Sequence, residues 1–202
     1  MYTLEPLTFS SNSLEPYLDA KTVEIHYGKH HANYLSKTNA LLEANHYQAE
    51  YSLSELVNHL DLFPSEVRET LLFNIGGVLN HNLYWKTISP NQKNVPVDQI
   101  KMAIDLKYGS FDLFKEEFMK HANSMMGSGW VFLVINSNHE LEIIKTKNQE
   151  TPYTNHLIPI MALDLWEHAY YLKYQNLRTD YINNFFNIID FDNINKLYEE
   201  NI

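Results

Sequence analysis

The chain has 202 residues, a formal net charge of −10 and no cysteine, so a substantial core is expected, whereas disulfide frameworks, zinc–thiolate sites and thiol nucleophiles are excluded. The negative charge argues against nucleic acid as a partner, and any metal must be held by nitrogen and oxygen atoms. No apolar run approaches the ~18 residues that span a bilayer, and the N-terminus lacks a basic region followed by an apolar stretch, which predicts a cytoplasmic protein without a membrane partner.

Two long helices are predicted in the first half. Residues 20–44 contain no Pro and repeat apolar and aromatic residues every three or four positions. A second helix is predicted from about residue 66 to 88, with Ser65 as its N-cap and acidic residues in its first turn. The following segment, 89–96, is rich in turn formers and has no apolar period. It therefore predicts a boundary between a helical domain, 1–89, and a second domain, 90–202.

The second half mixes helices with strands. Ser110 can cap a helix that begins at residue 111. Two apolar, β-rich runs, 130–136 and 140–147, flank a short turn and predict a hairpin. Residues 157–164 predict a third, fully buried strand that continues directly into a helical segment, and the end of the chain predicts one or two amphipathic helices.

The first helix carries a stripe of three polar-tipped rings. His26, His30 and Tyr34 follow one another at i, i+4 and i+8, which places them on one face of a regular helix. A half-buried helix edge would explain such rings without any chemistry. The stripe becomes a candidate site only together with the rest of the chain.

The second helix adds a third histidine. His81 and Trp85 share a face, and Gly76 and Gly77 stand in mid-helix, where each costs ~1 kcal/mol relative to Ala. The glycine pair therefore indicates that something approaches the backbone closely. Tight helix packing is an equally compatible explanation.

The third candidate element joins Asp164 to His168. A carboxylate at the end of a buried apolar run requires a charged or polar partner, and histidine is nearby in sequence, whereas Lys and Arg are not. Three imidazoles and one carboxylate form a nitrogen and oxygen site that suits Fe or Mn. Ligand identity alone does not exclude Zn.

Four motifs carry a family resemblance. They are HYGKHHANY at 26–34, NHNLYW at 80–85, GSGW at 127–130 and DLWEHAYYL at 164–172. With them the sequence resembles the iron/manganese superoxide dismutases over nearly its whole length. The resemblance implies an α+β fold, in which an N-terminal helical hairpin precedes an α/β domain with a three-stranded antiparallel sheet. It also implies a redox metal between the two halves.

The resemblance further implies the chemistry of the site. The ligands would be His26, His81, Asp164 and His168. Superoxide would be converted to oxygen and hydrogen peroxide in two half-cycles, the second of which requires protons. Tyr34 and His30 match the residues that relay protons and restrict access at the mouth of the site.

A homodimer is also implied. Tyr171 matches the tyrosine that pairs with His30 of the partner subunit. Glu167 matches the acid that reaches His168 of the partner subunit and orients that ligand. The resemblance therefore predicts that each site is completed by a second copy of the chain.

Aromatic residues are expected to surround the metal. Trp85, Trp130 and Trp166 match the family's dry shell, and Phe132 replaces a tryptophan that most relatives carry. Since the overall negative charge repels an anionic substrate, any steering of superoxide must be local, with Lys29 and Arg178 as candidates. A solvated surface charge is the alternative explanation for both residues.

Gln149 points to the preferred metal. In manganese-type relatives a glutamine from this later position hydrogen-bonds the solvent on the metal and tunes its reduction potential, whereas iron-type relatives supply it from the second helix. That helix position is Gly77 here, which predicts manganese, with iron as an alternative. Val78 is a departure, because manganese-type members usually carry His there and iron-type members often carry Val.

Two other classes of function are compatible with the ligand types. A mononuclear metal hydrolase also uses His and Asp ligands with a bound water. A non-catalytic helical metal-binding protein would hold its ion weakly and tolerate ligand substitution. Metal content and superoxide removal, compared with esterase or phosphatase activity, distinguish the three.

Overall fold

The computed structural model describes residues 1–91 and 93–202. The predicted first helix is present, but it is composed of three consecutive segments. They are α1 (Ala20–Ile25), a π-helical turn (His26–His31) and α2 (Ala32–Ala44). The amide of Ala32 donates to the carbonyl of Tyr27, five residues earlier, which is the bond that defines a π turn. The ligand-bearing part of the helix is therefore wider than a regular α-helix.

A short connection leads to the second long helix. It contains α3 (Leu53–Leu56) and a 3₁₀ turn (Leu60–Leu62), and α4 then runs from Ser65 to Lys86. Ser65 is not the N-cap that was predicted: Pro64 takes that position without a capping side chain, and Ser65 is the first helical residue. Helix α4 packs against α2 and forms the scaffold of the first half.

The three-stranded antiparallel sheet is confirmed. It has the order β2-β1-β3, with β1 (Gly129–Ile135) in the centre, β2 (Leu141–Lys147) on one side and β3 (Ile158–Asp164) on the other. Every residue of β1 is buried, as expected for a central strand covered on both faces. Trp130 on β1 stands directly opposite Asp164 on β3, so the pairing brings these two residues to the same end of the sheet.

Helices complete the second half. The helical segment predicted after β3 is present but short and irregular, with a 3₁₀ turn (Glu167–Ala169) before a single α-helical turn. The remaining helices are α5 (Asp98–Tyr108), α6 (Phe111–Asn123), α7 (Tyr171–Tyr174), α8 (Arg178–Phe185) and α9 (Phe191–Glu199). The fold is thus α+β, with a helical first part and a sheet-containing second part.

Two clusters of buried apolar side chains form the core. The larger cluster joins the end of α4, including Tyr84 and Trp85, to the sheet and to the C-terminal helices. The smaller cluster lies between α2, α3 and α4. Because α4 contributes side chains to both clusters, this helix lies between the helical part and the sheet. No helix in the described ranges is both long and apolar enough to cross a bilayer.

Candidate metal centre

Four side chains from four elements converge at one buried point. His26 comes from the π turn, His81 from α4, Asp164 from the end of β3 and His168 from the following 3₁₀ turn. The Nε2 atoms of the three histidines lie 3.0 Å, 3.7 Å and 3.3 Å, in that order, from Oδ2 of Asp164. All four candidate ligand atoms lie within 4.8 Å of one another. The sequence-predicted ligand set is therefore brought together in space.

The burial of these groups sets their protonation. Burial lowers the pKa of His26 to about 4 and the pKa of His81 well below its ordinary value. For the Asp164 carboxyl, burial favours a higher pKa, but the nearby imidazoles of His168 and His26 outweigh this and lower the pKa. At neutral pH the site therefore presents His26 and His81 as neutral imidazoles and Asp164 as an ionised carboxylate, the forms that bind a metal cation.

Hydrogen bonds outside the cluster orient two of these side chains. Nδ1 of His81 lies 2.5 Å from the carbonyl oxygen of Gly77, so this nitrogen carries the proton and the lone pair stays on Nε2. The backbone N–H of Trp166 donates to Oδ1 of Asp164 at 2.8 Å and leaves Oδ2 facing the imidazoles. Both contacts aim a lone pair at the centre of the cluster.

The atoms at this centre lack hydrogen-bond partners. Within the described ranges, this holds for Nε2 of all three histidines and for Oδ2 of Asp164. Buried polar atoms without partners are costly, because they have lost water and gained nothing in exchange. A cation between them would satisfy all four at once, and three imidazoles with one carboxylate are a donor set that suits Fe or Mn. The residues present therefore fit such an ion.

Each candidate histidine ligand has a tryptophan beside it. The ring centroids are 4.8 Å apart for His26 and Trp85, 5.0 Å for His81 and Trp130, and 5.6 Å for His168 and Trp166. Phe132, noted above as the replacement of a tryptophan, is buried and stacks on Trp130 at 6.1 Å. These rings exclude water from the imidazoles.

Gln149 connects the sheet to the first helix. Its side-chain oxygen accepts hydrogen bonds from Nε1 of Trp130 at 3.0 Å and from Asn80 at 3.5 Å. These two donors identify the oxygen, so the amide Nε2 must point the other way, where it donates to the Tyr34 hydroxyl at 3.0 Å. Gln149 is only 1% exposed although it lies in the turn after β2. The amide is therefore held in one orientation beside the site.

The two glycines of α4 make room for this arrangement. A Cβ atom on Gly76 would overlap the backbone carbonyl of Gln149, and one on Gly77 would overlap the ring of Tyr34. The close approach predicted from the glycine pair is therefore present. It involves the loop that carries Gln149 and the ring that Gln149 contacts.

His30 lies at the edge of the cluster, and a neighbouring histidine is buried beside it. The ring of His30 stacks on His168 at 4.2 Å and is partly exposed. His31, which sequence reasoning did not single out, is buried and stacks on His81 at 5.3 Å, and burial lowers its pKa to about 4. In the sequence, the position of His31 next to His30 was the feature that could have identified it as part of the site. In a regular helix, however, residue 31 would be turned away from residue 26.

The residues expected at a subunit contact lie on the surface of the single chain. Glu167 is exposed, and Tyr171 is 47% exposed, a large value for an aromatic side chain. Arg178, a candidate for steering superoxide, donates to the backbone carbonyls of Met125 and Gly127. Lys29, the other candidate, is an exposed residue of the π turn.

Comparison with known families agrees with this geometry. Residues 1–89 match the alpha-hairpin domain of the iron/manganese superoxide dismutases, and residues 96–197 match the C-terminal domain of the same family. The two matches together cover most of the chain and include all four residues of the buried cluster. The chain therefore belongs to the iron/manganese superoxide dismutases, oxidoreductases that act on superoxide.

Proposed function

We propose that the chain dismutates superoxide at one manganese ion held by His26, His81, Asp164 and His168. The observation that carries this proposal is the convergence of four buried, unpartnered ligand atoms on one point. A manganese or iron ion held by these residues would supply one-electron redox chemistry. Membership in the family favours this function over the hydrolase and the non-catalytic binding protein.

Proton supply is the part of the reaction assigned to Tyr34 and His30. The Tyr34 phenol accepts from Gln149 at 3.0 Å, and burial raises its pKa, so it remains a proton donor at neutral pH. His30 stacks on His168 at the partly exposed edge of the cluster, where it can exchange protons with solvent. Together they would deliver the protons that turn reduced superoxide into hydrogen peroxide.

The ligand set can be tested by replacing one ligand, His81, and comparing the result with the replacement of a histidine outside the cluster, His59. His81→Ala should abolish tight metal binding and dismutation, because it removes one of four ligands, while the chain stays largely folded. His59→Ala is the matched control, since His59 stacks on Tyr51 away from the cluster and should keep both properties. Full metal content and activity in His81→Ala would show that the ligand assignment is wrong.

The preference for manganese rests on Gln149 and Gly77. The buried Gln149 amide reaches the site from the loop after β2, and the Tyr34 ring occupies the space that a glutamine at position 77 would need. Val78 stays a departure from the manganese pattern. Reconstitution with each metal separately should give higher specific activity with manganese, and Gln149→Ala should change the reduction potential. If only the iron-loaded protein were active, the proposed preference for manganese would be wrong.

A homodimer is part of the proposal. Glu167 and Tyr171 are exposed in the single chain, next to the ligand His168 and its 3₁₀ turn. A second copy that covers them would contact His168 and complete the site from outside. The steering roles of Lys29 and Arg178, the domain boundary at residue 89 and the cytoplasmic location stay predictions of the sequence.

A further inference from the structure

Four oxidisable rings form a continuous path from the metal centre to the surface. Trp130 and Tyr84 have ring centroids 6.3 Å apart, Tyr84 and Trp85 are 4.9 Å apart, and Trp85 and Tyr27 are 6.0 Å apart. The three inner rings are buried, and Tyr27 is partly exposed. Tyrosine and tryptophan lose a single electron more readily than phenylalanine or the aliphatic side chains, so every member of this path can hold an electron vacancy.

Three of the four rings in the path lie beside candidate ligands. The His26 ring lies 4.8 Å from Trp85 and 5.3 Å from Tyr84, and the His81 ring lies 5.0 Å from Trp130. Tyr27 is the residue next to His26 in the π turn. The path is thus short.

The outer end of the path can release a proton. The Tyr27 hydroxyl donates to the carbonyl of Glu5 at 2.7 Å and is close to solvent, whereas the Tyr84 hydroxyl is fully buried. A phenol that loses an electron also loses its proton, and this proton needs water or a base to receive it. An electron vacancy on the path should therefore come to rest at Tyr27 as a neutral phenoxyl radical.

We infer that Trp130, Tyr84, Trp85 and Tyr27 form a relay that carries oxidising equivalents from the metal centre to the protein surface. The oxidant is hydrogen peroxide, the product of the enzyme itself. Its O–O bond breaks to give two waters, with one electron from the reduced metal, one electron and one proton from Tyr27, and a second proton from solvent. The metal ends oxidised and Tyr27 ends as a radical, which a small reductant in solution can repair at the surface. The relay protects the histidine ligands from oxidation.

The experiment uses the holoenzyme loaded with iron, reduced and then mixed with excess hydrogen peroxide. Radicals are detected by freeze-quench electron paramagnetic resonance, and a nitroso spin trap marks them for peptide mass spectrometry. In the wild-type protein we expect a tyrosyl signal and a trap adduct on Tyr27. Tyr27→Phe should lose both and show a several-fold increase in oxygenated Trp85. Tyr108→Phe is the matched control, because Tyr108 is also partly exposed but contacts Phe114 instead of the path.

Trp85→Phe separates the relay from attack by a freely diffusing radical. It keeps a ring but removes the oxidisable step, so labelling of Tyr27 should fall several-fold, whereas a diffusing radical would mark Tyr27 as before. Equal labelling of Tyr27 in Trp85→Phe, or no increase at Trp85 in Tyr27→Phe, would overturn the inference. Because the relay rests on the proposed metal site, iron content and dismutation are measured first. A wrong site appears as missing iron, and a wrong relay appears as intact iron without the labelling pattern.

Discussion

The ring of Tyr34 occupies the space in front of Gly77. A Cβ atom on Gly77 would lie 2.5 Å from two carbons of this ring, closer than real Cβ contacts allow. The glycine thus permits Tyr34 to stand between α4 and Gln149, and the carbonyl of the same glycine accepts from His81. One backbone position supports both a candidate ligand and a candidate proton donor.

Gly77→Ala should destabilise the protein although alanine normally favours a helix over glycine by about 1 kcal/mol. Overpacking against the Tyr34 ring should cost about 1–3 kcal/mol and displace the phenol from Gln149. The control is Gly28→Ala, since nothing lies within 4 Å of a Cβ atom there. Thermal unfolding of both variants is the measurement. Equal unfolding midpoints for Gly77→Ala and Gly28→Ala would show that the protein relieves the contact with the Tyr34 ring at no cost.

Tyr34→Phe should retain the metal and slow turnover at high superoxide concentration. The ring keeps its packing, while the hydroxyl that accepts from Gln149 and supplies protons is removed. Pulse radiolysis over a range of superoxide concentrations and pH measures the effect. Tyr153→Phe, a change at a phenol outside the site, is the control. Kinetics identical to the wild type would remove Tyr34 from the mechanism.

The metal-free protein should lose stability as the pH falls from 6.5 towards 4. Burial lowers the pKa of His26 and of His31 from 6.5 to about 4, so in this window the unfolded chain binds more protons than the folded one. The free energy of unfolding should therefore increase with pH by about 1.4 kcal/mol per unit for each histidine and level off above pH 6.5.

His31→Gln tests the contribution of the one histidine in this pair that is not a proposed ligand. Urea unfolding of the metal-free variant at several pH values should give a slope smaller by about 1.4 kcal/mol per pH unit. An unchanged slope would mean that His31 is not the buried neutral group that the structure indicates.

Glu167→Ala should weaken both dimerisation and metal retention. The carboxylate is exposed in the single chain and precedes the ligand His168, so its proposed role depends on a second copy. Analytical ultracentrifugation and metal analysis are compared for the wild type, this variant and Glu69→Ala, an exposed acid on α4. A monomeric, fully active wild type would rule out the proposed interface.

Much of the site was readable from residue types and spacing. Asp164 was identifiable because a carboxylate at the end of a buried strand needs a partner, and the glycine pair signalled a close approach to the backbone. The partners themselves were not readable: nothing near Gly76 in sequence indicates that Gln149 lies against it. Such pairings depend on the path of the chain through the sheet and only the folded structure gives them.

The helix boundaries illustrate a different limit. A capping serine and a first-turn serine look alike in sequence. Ser65 was therefore predicted as the N-cap, whereas it is the first residue of α4. The π turn was also hidden, since six residues are too few for an apolar pattern to separate the two helical periods. His31 was missed for that reason, because a regular helix would turn it away from the face that carries His26.

The π turn sets the rotational phase between the two ends of its helix. A π turn is equivalent to one inserted residue in an α-helix, and Gly28 lies within it with open space around it. If the same residues formed a regular α-helix without this turn, α2 would be rotated by about 100° relative to α1. His26 would keep its place, whereas Tyr34 would swing away from Gln149. The length of this turn, more than the identity of any residue in it, aligns the metal ligand with the proton donor.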